Sequence, residues 1–306
     1  MYPEDRSVNE GKEILVIINP YAGKRNGKGA VQEIRAGIVR HGLDARVSIT
    51  ESPGHATLLA QEATAPVVVA AGGDGTVNEV VNGLIGTSKT LGVLPIGSGN
   101  DLIKSIGVPR EIDAALKTIA GGKSMRIDCG TVKCGGSSRY FANGVGIGFD
   151  AAVAYRTQQI TYLRGTAVYI MAVFQTLGKY IAPEFTISVD SRSTTSHNLL
   201  IAIGNGRCAG GGFYLTPDAK TSDGLLDICM IADLPVRRIL SIMPKVMKGR
   251  HTDSPDVTMR LGRRISVKAE DPFFVHADGE IVGQNVHNVE VGIVEKAISV
   301  LVGAEE

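Results

Sequence analysis

The chain lacks most features that would mark a secreted, membrane-spanning or nucleic-acid-binding protein. Its 306 residues hold only 4 cysteines, Cys129, Cys134, Cys208 and Cys229, none of them at CxxC spacing. That argues against a disulfide framework and for a reduced, intracellular protein. Charge of one sign is missing too, since 32 Lys+Arg against 31 Asp+Glu leave a net +1. No global field favours wrapping a nucleic acid. There is no Trp, and the 8 Tyr and 7 Phe are scattered, so they build no stacking platform for bases. The histidines, His41, His55, His197, His251, His276 and His287, show no zinc-ligand spacing. No apolar run reaches about 18 residues. The best, Thr166 to Ala182, is broken by Gln175, Thr176, Gly178, Lys179 and Tyr180 and is expected to be a buried helix. The first residues, Met1 to Arg6, are polar and carry no signal core.

What is present is a folding composition, 43% hydrophobic and 21% charged, with an excess of 38 glycines. Many glycines mean many sharp turns or close backbone approaches. At roughly 150 residues per domain the length allows two. The first 125 residues alternate buried strands with helical periodicity. Strands are expected at Ile14–Ile18, Ala45–Ile49, Pro66–Ala71 and Leu91–Leu94, with helices around Ile34, Leu58, Val80 and Leu116 between and after them. This is the pattern of a doubly wound parallel sheet covered on both faces. After Asp128 short strands dominate, at Arg139–Val145, Glu184–Val189, Leu199–Ile203, Leu225–Ile231, Arg264–Ala269 and Phe273–His276, with helices around Thr166–Leu177 and Val236–Lys248. That predicts an antiparallel sandwich or barrel-like second domain. The expected boundaries are 1–127 and 128–291.

Two glycine-rich segments imitate nucleotide motifs. Gly23 to Gly29 is one residue too short between its glycines for a P-loop, and Gly29 replaces the magnesium-binding hydroxyl. As a basic loop after a strand it can still touch phosphate. Gly204-Asn-Gly206-Arg-Cys-Ala209 fits a loose dinucleotide fingerprint, but Gly210 to Gly212 and Pro217 follow where a helix should begin.

The chemistry concentrates where strands end. Gly72-Gly73-Asp74-Gly75-Thr76 follows the Pro66–Ala71 strand and opens a helix. Glycines there let backbone N–H groups approach phosphate, and a helix N-terminus favours the negative charge. Asp74 suits such a place only with a divalent cation between it and the phosphates. Thr76-x-x-Glu79 also reads as a capping box, which needs no ligand. Leu94-Pro95-Ile96-Gly97-Ser98-Gly99-Asn100-Asp101 repeats the theme, although Asn100 or Asp101 could simply cap the next helix. With Asn19-Pro20-Tyr21-Ala22-Gly23, three strand ends share one rim. Asp223-Gly224 reads locally as a hairpin turn. So does Asp278-Gly279; if that segment is extended instead, Asp278 and Glu280 share a face and can accept a proton from an attacking hydroxyl.

In this order, the three rim segments resemble the diacylglycerol kinase catalytic-domain family of lipid kinases, which includes sphingosine and ceramide kinases. The match is to bacterial members. Arg126-Ile-Asp128, Phe141-Ala-Asn143-Gly144, Gly210 to Phe213, Asp223 to Asp227 and Asp278-Gly-Glu280 extend the resemblance over nearly the whole chain. Ser98 stands for the usual Thr and Lys104 for a common Arg. The resemblance implies a NAD kinase/phosphofructokinase-like N-terminal sheet, a C-terminal β-sandwich carrying the lipid substrate, ATP and Mg2+ in the cleft between them, and return of about 292–306 to the first domain. It implies that Asp74 organises magnesium and that Gly72, Gly73, Gly75, Thr76, Gly97, Ser98, Asn100, Asp101 and Asn19 belong to the nucleotide site. Asp223 and the Leu225 carbonyl would hold a structural magnesium. Glu280 would be the base, with Asp278 and Asp128 supporting it.

The expected activity is transfer of the ATP γ-phosphoryl group to a lipid hydroxyl, diacylglycerol to phosphatidic acid. A sphingoid base or phosphatidylglycerol acceptor, a soluble-metabolite kinase of the NAD kinase kind and a catalytically silent sensor are the alternatives. The expected location is cytoplasmic and peripheral at the inner membrane face, with a homodimer allowed. The span from Arg237 to Lys268 holds nine Lys and Arg against Asp253 and Asp256. It reads either as a dock for an anionic bilayer or as a solvated helix face.

Overall fold

The computed structural model describes residues 13–23, 27–160 and 166–303. It forms two compact units, Met1–Ile127 with Lys296–Glu306, and Asp128–Glu295.

In the first unit the alternation β1 (Ile14–Ile18), α1 (Gly27–Arg40), β2 (Ala45–Ile49), α2 (His55–Glu62), β3 (Val67–Gly72), α3 (Asp74–Leu84), β4 (Thr90–Pro95), α4 (Ile103–Ile106) and α5 (Ile112–Gly121) is that of a wound α/β sheet. β1, β3 and β4 bury every residue, which is why their sequences are unbroken apolar runs. All pairings are parallel, in the order β2, β1, β3, β4. Ser299 and Val300 add a fifth parallel strand beside Thr90 and Leu91. Because β2 and β3 flank β1, the winding reverses at β1 and β3. A doubly wound sheet opens a crevice at the carboxyl ends of the strands at that switch point. Asn19 and the Gly72–Thr76 loop stand there.

The second unit is built from most of β5 (Ser124–Cys134), then β6 (Ser137–Phe141), β7 (Gly144–Gly148), α6 (Phe149–Gln159), α7 (Thr166–Leu177), β8 (Glu184–Val189), β9 (Arg192–Gly204), β10 (Leu226–Ala232), α8 (Val236–Val246), β11 (Val257–Gly262), β12 (Arg264–Ala277) and the larger part of β13 (Glu280–Leu301), whose last residues belong to the first unit. Neighbouring strands run antiparallel in the order β11, β10, β9, β7, β12, β13. β8 also pairs with both β9 and β12. Alternation along the strands serves two cores. Ile201, Ile203, Ile228 and Met230 join Phe141, Phe185 and Val267 inside the sandwich. Leu200, Ala202, Cys229 and Ile231 face the other way and pack under α6, α7 and α8 with Phe149, Val173, Ile239 and Ile242.

Several sequence-based boundaries change. The expected strand Arg139–Val145 is interrupted at Ala142-Asn143 between β6 and β7. The two strands expected at Arg264–Ala269 and Phe273–His276 are one, β12, whose pairing register shifts between Lys268 and Phe273. Helix α6 was not expected, because its buried face of Phe149, Asp150, Ala151 and Val153 includes a charge. The middle of the Gly23–Gly29 loop, the Met1–Arg6 segment and residues 161–165 lie outside the described residues, while Gly27–Gly29 begin α1.

Candidate active site

Three loops meet at the rim of the first unit. The Asn19 N–H donates to the Ala71 carbonyl at 2.9 Å, and its side-chain amide donates to Thr76 Oγ1 at 3.0 Å. This ties the loop after β1 to the loop after β3. Next, the Gly72 carbonyl accepts both the Ile96 and Gly97 N–H groups at 3.1 Å. A Cβ on Gly97 would collide with the Cα of Gly73, so the two loops touch backbone to backbone. Asp74 completes the junction. Its two carboxylate oxygens accept the N–H groups of Asn100 at 2.9 Å and Asp101 at 2.6 Å. Asn100 takes the left-handed conformation, φ 53°, and its amide donates to the Gly97 carbonyl at 2.8 Å. Asp101 is buried and pairs with Lys104 Nζ at 2.7 Å. Ser98 is exposed, and its carbonyl accepts from Arg110.

Two capping expectations are corrected. Helix α3 begins at Asp74 after an extended Gly73, so Thr76 lies inside the first turn and cannot be its N-cap. Glu79 instead reaches the neighbouring helix, where its carboxylate accepts the N–H groups of Gly54 at 2.9 Å and Ala56 at 3.1 Å and caps α2. The residue at the N-cap position of α4 is Leu102, so Asn100 and Asp101 stand before that position. What remains at this rim is the N-terminus of α3, whose first N–H groups have no intrahelical acceptor and carry partial positive charge.

In the second unit the contest between turn and extended strand at Asp278 resolves to the turn. Ala277 pairs with Glu280, leaving Asp278 (φ 49°) and Gly279 (φ 84°) as a two-residue hairpin loop of the I′ kind. The Asp278 carboxylate accepts three backbone N–H groups, from Ala142 at 2.9 Å, Asn143 at 3.0 Å and Gly144 at 2.9 Å. It is therefore the anchor of the β6–β7 break. Glu280, one residue past the turn, is exposed. Asp128 is buried and accepts the Gly224 N–H at 2.8 Å. Its carbonyl takes the Asn205 amide, which also reaches Ala142. Cys129 lies near both acids, and burial first, then Asp278 and Asp128, pushes its thiol far above the ordinary range. The side-chain amide oxygens (Oδ1) of Asn143 and Asn205 are buried without a hydrogen-bond partner among the described residues.

Asp223 accepts the Leu225 N–H at 3.1 Å, a local turn bond. Asp227, not singled out from the sequence as a site residue, has its carboxyl raised to about 6 by burial and then by repulsion from Asp223 and Asp218. Among the described residues no three His, Cys, Asp or Glu side chains converge as a metal cage. For a magnesium nucleotide none is needed, because Mg2+ is held by one or two carboxylates, water and phosphate oxygens. Asp74, beside a glycine-lined helix N-terminus, fits that requirement. The oxygen-rich Asp223 turn supplies suitable hard donors but not a closed shell.

Sequence reasoning missed the buried pair His276 and Asp150, which a charge inside the apolar stretch Gly144–Val153 could have signalled. In the basic span, α8 has a buried apolar face and an exposed basic one. Ile239, Ile242 and Val246 of α8 are packed inward, whereas Arg237, Arg238 and Leu240 are exposed.

Comparison with known proteins follows the two units. The model of the diacylglycerol kinase catalytic domain matches residues 13–132. That of the YegS C-terminal NAD kinase beta sandwich-like domain matches residues 143–302. Diacylglycerol kinases of Staphylococcus saprophyticus and Staphylococcus aureus are each 30% identical over 279 residues, covering 89% of this chain and 90% and 87% of theirs. Two solved structures from Bacillus anthracis str. Sterne, one described as a diacylglycerol kinase, share the fold with TM-scores of 0.77 and 0.74 at 24% and 23% identity, covering 95% of this chain and 97% of each of theirs. The α/β unit with its stapled rim loops, the sandwich unit and these similarities together place the chain in the diacylglycerol kinase family of lipid kinases.

Proposed function

We propose that this lipid kinase transfers the γ-phosphoryl group of ATP, with Mg2+, to the hydroxyl of diacylglycerol, giving phosphatidic acid. The observation that carries the reading is the Asp74 staple. One carboxylate fixes the loop after β4 against the N-terminus of α3, producing a rigid phosphate cradle with an acidic edge. We take 1–127 with about 292–306 as the nucleotide domain and 128–291 as the lipid-substrate domain.

Phosphoryl transfer needs positioning and charge neutralisation more than covalent chemistry. Magnesium, when bound, supplies the neutralising charge on the phosphate oxygens. Backbone N–H groups at Gly75 and Thr76, with the loop of Gly72, Gly73, Gly97 and Ser98, hold the phosphates, and Asn19 fixes Thr76. Asn100 and Asp101 keep the loop closed on Asp74. Glu280 accepts the proton of the lipid hydroxyl as its oxygen bonds to the γ-phosphorus and the bond to the ADP oxygen breaks. Asp278 supports Glu280 by anchoring its turn, and Asp128 holds the Gly224 turn, where Asp223 and the Leu225 carbonyl provide oxygens for a structural magnesium.

The acceptor is met at a membrane surface. Ile170 and Phe174 of α7 and Leu240 of α8 are exposed large apolar residues, and Arg237, Lys245 and Lys248 lie on or next to α8. Such a mixture suits peripheral binding to an anionic bilayer.

The test is labelled ATP and Mg2+ with micellar diacylglycerol, a sphingoid base, phosphatidylglycerol and, separately, NAD. The expected result is labelled phosphatidic acid, with Glu280→Gln lowering turnover about 10²–10⁴-fold while ATP still binds. Label on NAD or on another lipid reassigns the acceptor. No product with any acceptor sinks the kinase activity.

A further inference from the structure

His276 and Asp150 form a buried pair that no step above uses. His276 is 6% exposed and Asp150 5%, and the ring Nε2 lies 2.9 Å from Asp150 Oδ2. On the opposite side of the ring, the Gly279 N–H donates to Nδ1 at 3.3 Å. A ring nitrogen that accepts an N–H carries no proton of its own. The imidazole is therefore neutral, with its hydrogen on Nε2 and directed at the Asp150 carboxylate.

The fold makes room for this pair. Gly146 of β7 stands opposite His276 of β12 in the strand register. A Cβ on Gly146 would collide with both His276 Nε2 and Asp150 Oδ2. Thus β7, β12 and α6 each contribute one residue type without which the pair could not form. What the pair holds is Gly279. Asp278 is already fixed by three N–H groups, whereas Gly279 and Glu280 are exposed. His276 is the second anchor of the same turn.

We infer that His276, with its tautomer set by Asp150, is a positioning residue that holds Gly279 and thereby fixes the carboxylate of Glu280. The inference rests on Glu280 acting as the base. Asp150→Asn removes the charge that holds the ring proton on Nε2, and with its amide N–H turned to Nε2 the proton moves to Nδ1, where it opposes the Gly279 N–H. His276→Gln keeps a donor for Asp150 but loses the acceptor for Gly279. His276→Asn keeps an acceptor near the Nδ1 position.

Steady-state phosphorylation of micellar diacylglycerol is expected to show kcat down about 10- to 100-fold in Asp150→Asn and His276→Gln, the scale of a small misplacement of a reacting group. The KM for ATP stays unchanged, and His276→Asn recovers most of kcat. In a Glu280→Gln background the His276→Gln change adds no further loss, because both act through one group. Equal losses in the Gln and Asn variants, or additive losses in the Glu280→Gln background, overturn the inference. Normal turnover of His276→Gln beside an impaired Glu280→Gln overturns it alone, whereas normal turnover of Glu280→Gln strikes the base assignment and takes the inference with it. Nitrogen NMR of the native chain gives a readout that needs no variant to fold. It is expected to find His276 protonated at Nε2 and bare at Nδ1, and a protonated Nδ1 is the opposing result.

Discussion

Asp74 and Asp278 play the same physical part in different units. Each is an acid whose oxygens are occupied by backbone N–H groups of another segment, two for Asp74 and three for Asp278. Hydrogen bonds to an ionised acceptor are stronger than neutral ones, so single side chains can hold whole loops. His251 shows the opposite situation. It is fully buried, its Nε2 lies 3.2 Å from the Leu215 carbonyl, and burial pulls its pKa below the ordinary 6.5. The unfolded chain then binds a proton at a pH where the folded chain does not. Stability contributed by the neutral ring is complete above about pH 6.5 and is lost as pH falls through the lower folded value. His251→Gln, which keeps a donor for Leu215, is expected to flatten the decline of Tm between about pH 7 and pH 5. Parallel pH slopes for native and variant protein would show that His251 does not titrate in this way.

At the scale of elements, the proposed phosphate cradle depends on the loops after β3 and β4 lying closer than side chains permit. Gly97→Ala forces Gly73 and Gly97 apart while leaving β3 and β4 untouched. Misplacing the cradle by about 1 Å costs on the order of 100-fold in function. Calorimetry of Gly97→Ala with ATP and Mg2+ is expected to show binding weakened to that extent, with the thermal transition nearly preserved. Native affinity would mean that this contact does not shape the nucleotide site. Glu79 makes the related point for helices, since it caps α2 from α3 and joins two elements that local sequence treats as separate.

For the molecule as a whole, the described residues contain no helix long and apolar enough to cross a membrane, and the proposed docking of α8 on a bilayer is open to test. Arg238 is engaged with Asp256 at 2.8 Å, so Arg237 and Lys248 are better probes of a bilayer-facing charge. At about 1 kcal/mol per basic residue near an anionic surface, Arg237→Glu with Lys248→Glu should lower vesicle partitioning roughly thirty-fold or more. Flotation with phosphatidylserine-containing vesicles measures this, and unchanged flotation removes α8 from the docking surface.

The amino-acid sequence by itself determined the winding of the α/β unit and the family. Ile14–Ile18, Val67–Ala71 and Leu91–Leu94 are apolar throughout because both sheet faces are covered, and the glycine and acid loops are contiguous in sequence. Tertiary structure decided what those loops bind to. Asp74 finds its partners 26 and 27 residues away, and Asp278 reaches 134 to 136 residues back. Glu79 abandons its own helix for another. Helix α6 escaped notice because Asp150 faces inward, where a histidine from a distant strand partners the charge. Periodicity reports which face is buried, but a buried polar group is explained by its partner, and the partner is chosen by the fold.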